Sequence, residues 1–113
     1  MAKNVAVVIQ EDPSITHRPV EALRIALGLV AGSHVTTVIL LGEAVRLLTN
    51  DSDDIIDLDI LEKYLPSIEQ LGIPFIVPKV FDISVLSGKF SVHCESEDAV
   101  AAVIQSMDCT LVF

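Results

Sequence analysis

Short apolar runs recur along the chain and are separated by stretches with helical spacing. The run NVAVVI at 4–9 and the run VTTVILLG at 35–42 are rich in β-branched residues and contain no charged residue. Such runs are typical of strands that are buried on both faces of a parallel sheet. Three further runs, at 73–80, 89–94 and 109–113, predict three more strands.

The segment after the first strand predicts a helix that is apolar on nearly all sides. Only Glu21 and Arg24 interrupt the apolar surface between Val20 and Val30. A helix of this kind has to contact apolar surface on two sides. We expect the sheet on one side and a neighbouring subunit on the other.

Three other segments have helical features. A short helical turn is expected at 43–48 and a helix at 96–107, where Ser96 is the predicted N-cap. A further helix ends at Gly72, and Pro66 inside it is expected to kink or split it. The apolar face of that helix is formed by residues three and four positions apart, namely Leu58, Leu61, Leu65, Ile68 and Leu71.

The order of these elements predicts the fold class. Strands that alternate with helices imply βαβ crossovers and a parallel sheet with helices on both faces. We therefore predict an α/β fold, a three-layer α/β/α sandwich around a mainly parallel sheet of about five strands. The sequence contains no internal repeat and no linker, so residues 1–113 are predicted to form a single domain.

The composition suggests buried surface beyond the subunit's own core. Hydrophobic residues make up 51% of the chain and the mean hydropathy is +0.61, yet no apolar run approaches the roughly 18 to 20 residues that span a bilayer. We expect the apolar side chains that the subunit's own core does not bury to lie in contacts between subunits. The start of the chain does not resemble a signal peptide, so we expect a cytoplasmic protein that does not associate with membranes.

The charge balance argues against two classes of partner. The formal net charge is -9, and the chain has only seven Lys and Arg residues. Binding to a phosphate backbone depends largely on such cations displacing counterions. Direct binding to nucleic acid or to an anionic membrane surface is therefore not expected.

The loops at the ends of the predicted strands are the candidate ligand-binding positions. Ligands in open α/β sheets bind outside the carboxyl ends of the strands, which here means the loops after Ile9, Gly42, Val80 and Cys94. The stretch after the first strand has no glycine, and no P-loop occurs, so no nucleotide cofactor is expected. The candidate site residues are Glu11, His17, Arg18, Gly42, Glu43, Lys79 and Cys94.

Two of these positions suggest an anion, and an acidic run suggests a cation. His17 and Arg18 precede a helix N-terminus, which favours negative charge, although an ordinary exposed turn is the simpler interpretation. The run Asp51, Asp53, Asp57 and Asp59 offers alternating oxygens but lacks the glycine and glutamate that shape an EF-hand loop. We interpret it as a solvated loop and predict no metal site.

The two cysteines invite a chemical interpretation. Cys94 follows His93, but adjacent residues of a strand point to opposite faces, so a local thiol and imidazole pair is not expected. The helix start after Cys94 favours a thiolate, whereas Glu95 and nearby acids oppose it. A buried structural cysteine is the favoured interpretation of Cys94, and Cys109 is predicted to pack in the core.

The chain as a whole resembles the DsrE/DsrF-like family of small sulfur-relay proteins. The resemblance is carried by NVAVVIQEDP, VEALRIALGLV, VTTVILLGEAVRLL and AAVIQSMDCTLVF, with Gly42 and Val45 after the second strand and Asp108 before the last. It implies an α/β/α sandwich that assembles into trimers or hexamers and contacts other sulfur-relay proteins. For active members it also implies a persulfide carried on a cysteine just after the third strand.

The sequence departs from this family at the carrier position. The stretch IPFIVPKVFDISVLSGKF contains no cysteine, and residues 78–80 stand where the thiol is expected. Two interpretations follow. The chain is either a non-catalytic scaffold or ligand-binding member, with an anion pocket at His17, Arg18 and Lys79, or a persulfide carrier that uses Cys94 as a displaced acceptor. The first is favoured because it requires no new chemistry.

Overall fold

A five-stranded, all-parallel sheet forms the centre of the protein in a computed structural model that describes residues 2–49, 53–79 and 89–113. In chain order the strands are β1 (Asn4–Ile9), β2 (Val35–Leu40), β3 (Pro74–Pro78), β4 (Ser91–Glu95) and β5 (Cys109–Val112). Their spatial order is β4-β3-β2-β1-β5. The sheet therefore has β4 and β5 as its two edges.

The helices cover the two faces of the sheet unequally. Helix α1 (Arg18–Ala31), a 3-10 helix (Gly42–Leu48) and helix α2 (Leu58–Leu71) pack on one face, and α3 (Glu97–Ser106) packs on the other. We call these the α1/α2 face and the α3 face. The structure thus has the predicted α/β fold, with a layer of helices on either side of the sheet.

Strand alternation divides the core into two clusters. Val7, Val38 and Phe75 lie in the larger cluster under α1 and α2, and each is fully buried. Their neighbours along the strands, such as Ile39 and Ile76, lie in the smaller cluster under α3. Because the central strands bury both faces, their sequences are continuously apolar.

The helix boundaries agree with the local sequence signals. Ser96 caps α3, and its hydroxyl oxygen accepts a hydrogen bond from the amide of Ala99 at 3.2 Å. Gly72 ends α2 in the left-handed conformation, with a φ of 65°, which glycine adopts without steric cost. The expectation for Pro66 is wrong in part, because α2 continues through this residue without a break. Pro66 is exposed, so the carbonyl that it leaves without an intrahelical donor can be solvated.

Arg46 links the loop before α2 to the turn after β1 through ion pairs. Its guanidinium group lies 3.9 Å from the Asp12 carboxylate and forms an ion pair with Asp54. The Arg46 side chain is only 17% exposed. Nearby, the amide of Ile56 donates a hydrogen bond to the carbonyl of Pro13 at 2.9 Å. Asp53, Asp57 and Asp59 of the acidic run are exposed, as expected for a solvated loop, and Asp51 lies outside the described residues.

Asp108 closes the start of the last strand. Its carboxylate accepts a hydrogen bond from the amide of Asn4, and its own amide donates to the carbonyl of Asn4, both at 2.8 Å. These two bonds join β5 to the first residue of β1. The aspartate that precedes the terminal strand therefore has a structural role.

Within the three described segments, no helix is both long enough and apolar enough to span a bilayer.

Candidate functional site

A cleft of about 720 Å³ opens where the carboxyl ends of β2, β3 and β4 meet the start of α3. We call it the carboxyl-end cleft. Its position is the one at which open α/β sheets bind ligands. Among the described residues it is lined by Leu41, Gly42, Pro78, Lys79, Glu95, Ser96, Glu97, Val100, Ala101 and Ile104.

The wall of the cleft is apolar and its rim is charged. Leu41, Val100 and Ile104 also belong to the smaller core cluster, so the apolar wall is continuous with the packing under α3. Lys79 is the single cationic lining side chain among the residues described, and Glu95 and Glu97 are the acidic ones. An apolar wall with a few polar groups is the usual makeup of a small-molecule site.

Backbone contacts fix the geometry of the rim. The amide of Lys79 donates to the carbonyl of Glu95 at 2.9 Å, which holds the ends of β3 and β4 together. Gly42 has a φ of +56°, and a Cβ built there would meet no atom within 4 Å. The glycine is therefore required by the backbone conformation and not by crowding.

The predicted site residues do not form one constellation. Gly42 and Lys79 line the carboxyl-end cleft. Glu43 is exposed in the first turn of the 3-10 helix and is not a lining residue. Val80, predicted to end the third strand, lies outside the described residues.

A second group of predicted residues lies at the carboxyl ends of β1 and β5. Glu11 Oε2 is buried and lies 3.3 Å from Arg18 Nε, within ion-pair range but without hydrogen-bond geometry. The Arg18 guanidinium carbon lies 5.9 Å from the centre of the Phe113 ring, a cation–π distance. His17 precedes α1, is exposed, and gives no side-chain cap. This group is linked by its own contacts and has no lining role in the cleft.

Asp12, next to that group, is held in its ionised form by its neighbours. Its carboxylate accepts hydrogen bonds from the Ser14 amide at 2.9 Å and from the Ser14 hydroxyl at 2.7 Å. These two bonds, with a smaller contribution from the charge of Arg46, lower the pKa of Asp12 below its ordinary value. The turn after β1 is therefore stabilised by a charged carboxylate.

Cys94 and His93 leave β4 in opposite directions. Cys94 is half-buried and packs against the larger core cluster on the α1/α2 face. His93 is exposed, and alternation along the strand places it on the α3 face. The structure therefore contains no pair of the thiol with its neighbouring imidazole, as the strand parity predicts.

Cys109 is exposed rather than buried. The prediction that it packs in the core is wrong because β5 is an edge strand, paired with β1 on one side only. A cysteine at the start of such a strand has no second neighbouring strand to cover it. Neither cysteine lines the carboxyl-end cleft.

Sequence reasoning missed most of the cleft wall. It located the carboxyl ends of the strands but did not select Glu95, Ser96 or Glu97, which form the corner between β4 and α3. The signal was present, because a strand followed at once by an N-capping serine brings a helix start to that edge. The contribution of Ile104 depends on how α3 lies on the sheet, which the sequence pattern does not specify.

No group of three or more His, Cys, Asp or Glu side chains in the described segments is arranged to hold a metal ion.

A solved structure is similar to this α/β fold over its whole length. The ychN protein from E. coli superposes with a TM-score of 0.78 and 19% sequence identity, covering 100% of both chains. At this level of identity the similarity concerns the fold alone. No family model matches the sequence, and the search of curated proteins also found no match.

Proposed function

We propose that the protein is a DsrE/DsrF-like member related to intracellular sulfur relay that acts in the cytoplasm without carrying sulfur itself. Its role is that of an oligomeric scaffold or of a binding subunit for a small ligand. The observation that carries this proposal is the carboxyl-end cleft, whose described lining includes no thiol. A persulfide carrier needs a thiolate sulfur as nucleophile and carrier.

The shared fold and the sequence resemblance support the link to sulfur relay. The missing carrier is the reason for proposing a binding role instead of a transfer role. The sequence from Ile73 to Phe90 has no cysteine, and β3 ends in Pro78. Lys79 follows directly and contributes a cation to the rim where a carrier thiol is expected.

The lining suggests a small amphipathic ligand. Its apolar part would lie against Leu41, Val100 and Ile104, and a charged group would lie near Lys79. Burial of the apolar part supplies most of the affinity in such sites, and the polar groups set the orientation. The anion pocket predicted at His17, Arg18 and Lys79 is replaced in this proposal by the cleft around Lys79.

Binding of the fluorescent probe 1-anilinonaphthalene-8-sulfonate to the native protein tests the ligand site. The probe has an apolar body and one anionic group, so we expect saturable binding to the wild type. Ala101→Trp should abolish it by filling the cleft, and Lys79→Ala should weaken it. Gln105→Trp is the matched control, because Gln105 is exposed on the same helix outside the lining. Equal binding by the wild type and Ala101→Trp would refute the site.

Oligomerisation is part of the same proposal. The protein forms a trimer or hexamer through the outer side of α1 and contacts other sulfur-relay proteins in that form. The side chain of Ile25 is half-exposed in α1 and belongs to neither core cluster. An apolar side chain in that position supports a neighbouring subunit as its contact.

A second candidate function is persulfide transfer by Cys94. It is favoured by one observation: Cys94 is only half-buried and directly precedes the cleft residues Glu95 and Ser96. Alkylation of the native protein by iodoacetamide near neutral pH separates the candidates. The non-carrier proposal expects Cys109, which is exposed, to react much faster than Cys94. Faster reaction at Cys94 would favour the second candidate.

A further inference from the structure

The outer edge of β5 is short, at four residues, but it lacks two other common protections of a sheet edge. The strand Cys109–Val112 contains no charged residue and no proline, and charged side chains and prolines are common protections of edge strands. Val112 is 53% exposed. The opposite edge differs, because β4 includes His93 and Glu95.

The hydrogen bonds to β1 identify which backbone groups of β5 point outward. Phe113 donates its amide to the carbonyl of Val8 and accepts from the amide of Gln10, each at 2.8 Å. Backbone groups of successive residues in a strand point to alternate sides. Phe113, Leu111 and Cys109 therefore face β1, and the amides and carbonyls of Thr110 and Val112 face outward.

This edge is complementary to itself. Consider a two-fold axis that is perpendicular to the sheet and passes beside Leu111. It places Thr110 of each copy opposite Val112 of the other copy. The outward groups of these residues then form hydrogen-bonded pairs, and the two Leu111 residues form the close, non-hydrogen-bonded pair between them. Opposite residues also lie on the same face of the joined sheet, as an antiparallel pair requires.

The charges around the edge are compatible with a second copy in spite of the net charge of -9. The two strands bring no ionised side chains of their own into contact. The antiparallel arrangement brings Asp108, at one end of the strand, towards Arg18 of the second copy at the other end. Glu11 lies there as well, but its buried oxygen is directed at Arg18 of its own subunit. The Asp108 carboxylate is held by the amide of Asn4, and Arg18 lies beside Glu11, so these charges already have partners within each subunit at both ends of the contact.

We propose that two copies of this chain join their β5 strands in antiparallel order. Their two five-stranded sheets then form one continuous sheet of ten strands. This contact is separate from the one proposed for α1. A closed assembly can contain both, because a three-fold contact and a two-fold contact together generate a hexamer. If α1 forms no contact, the β5 edge alone gives a dimer.

A cysteine cross-link tests the geometry. In a background with Cys94→Ala and Cys109→Ala, oxidation of Leu111→Cys should give a covalent dimer on a non-reducing gel. Thr110→Cys is the matched control and should stay monomeric on the gel, because Thr110 lies opposite Val112 and not opposite itself. Absence of the dimer from Leu111→Cys, or equal cross-linking by both variants, would overturn the proposal.

A proline substitution tests the same contact without a cross-link. Val112→Pro removes an outward amide and should halve the particle mass measured by light scattering, since edge strands tolerate proline but cannot pair through it. Val92→Pro at the β4 edge is the control and should leave the mass unchanged. An unchanged mass for a folded Val112→Pro would overturn the proposal, and if this variant does not fold, the cross-link decides.

Discussion

Val77 and Cys94 are neighbours in the register of β3 and β4, and both side chains turn to the α1/α2 face of the sheet. The next residues, Pro78 and Glu95, are also neighbours and line the carboxyl-end cleft. Cys94 therefore directly precedes a cleft residue in the sequence, but its thiol points to the α1/α2 face of the sheet and not into the cleft. This relationship is the structural reason for assigning Cys94 to packing.

The core under α1 and α2 should depend strongly on Phe75. This side chain is fully buried and makes an edge-to-face contact with Phe90, with ring centres 6.0 Å apart. Phe75→Ala should lower the free energy of unfolding by about 3–5 kcal/mol, the usual cost of such a cavity. Urea denaturation measures the change. Ile15→Ala is the control: Ile15 is 75% exposed, so its change should stay within about 0.5 kcal/mol. Similar losses for both variants would contradict the core assignment.

Substitution by alanine at two glycines should change the stability of the protein in opposite directions. Gly42 has a positive φ, so Gly42→Ala should destabilise the protein by about 1–2 kcal/mol through backbone strain. Gly28 lies inside α1 with open space around it, so Gly28→Ala should stabilise the protein by about 0.5–1 kcal/mol. Thermal unfolding of the two variants measures both effects. A gain for Gly42→Ala would show that the loop does not need the left-handed conformation.

Asp12 should give the protein a pH-dependent contribution to stability. The folded state lowers the pKa of Asp12 through the hydrogen bonds from Ser14, so the stabilisation is fully present above the ordinary pKa of 3.8. It is lost as the pH falls through the lower pKa of the folded state. Asp12→Asn should therefore lower the melting temperature by a few degrees at pH 7.

The difference between wild type and Asp12→Asn should shrink as the pH falls below 3.8. Glu62→Gln on the exposed side of α2 is the control, because within residues 2–49, 53–79 and 89–113 this carboxylate has no hydrogen bond or ion pair. A difference between wild type and Asp12→Asn that is independent of pH would contradict the role of the charged carboxylate.

The outer side of α1 should control the assembly. Ile25→Glu places a charge where a neighbouring subunit is proposed, and burying an unpaired charge is costly. We expect light scattering to show a smaller particle with an unchanged circular dichroism spectrum. Gln70→Glu, on the exposed side of α2, adds the same charge elsewhere and should leave the assembly intact. A wild type that is a monomer of 12.2 kDa would refute the oligomer directly.

The sequence pattern predicted the elements well because their signals are local. The strand at 4–9, the cap at Ser96 and the stop at Gly72 each depend on a few adjacent residues, and all three are confirmed. The position of a strand within the sheet is not a local property. The chain crosses from β4 to the far side of β1 before forming β5, which is why Cys109 is exposed in spite of its apolar neighbours.

The cleft was predictable only in its location. The carboxyl ends of the strands follow from the fold, and Gly42 and Lys79 were found in this way. The same rule also selected Glu11 and Arg18, which instead pair with each other beyond β1. Whether the loops of neighbouring strands meet depends on strand order and on the path of α3, and neither is encoded in residue spacing.

Sulfur loading of the protein tests the central claim most directly. Intact masses of the wild type, Cys94→Ala and Cys109→Ala are measured after incubation with a cysteine desulfurase and cysteine. A non-carrier should show no sulfur adduct that depends on Cys94, and a trace on the exposed Cys109 is compatible with this result. An adduct of about 32 Da, one sulfur atom, that disappears only in Cys94→Ala would contradict the account and make Cys94 the carrier.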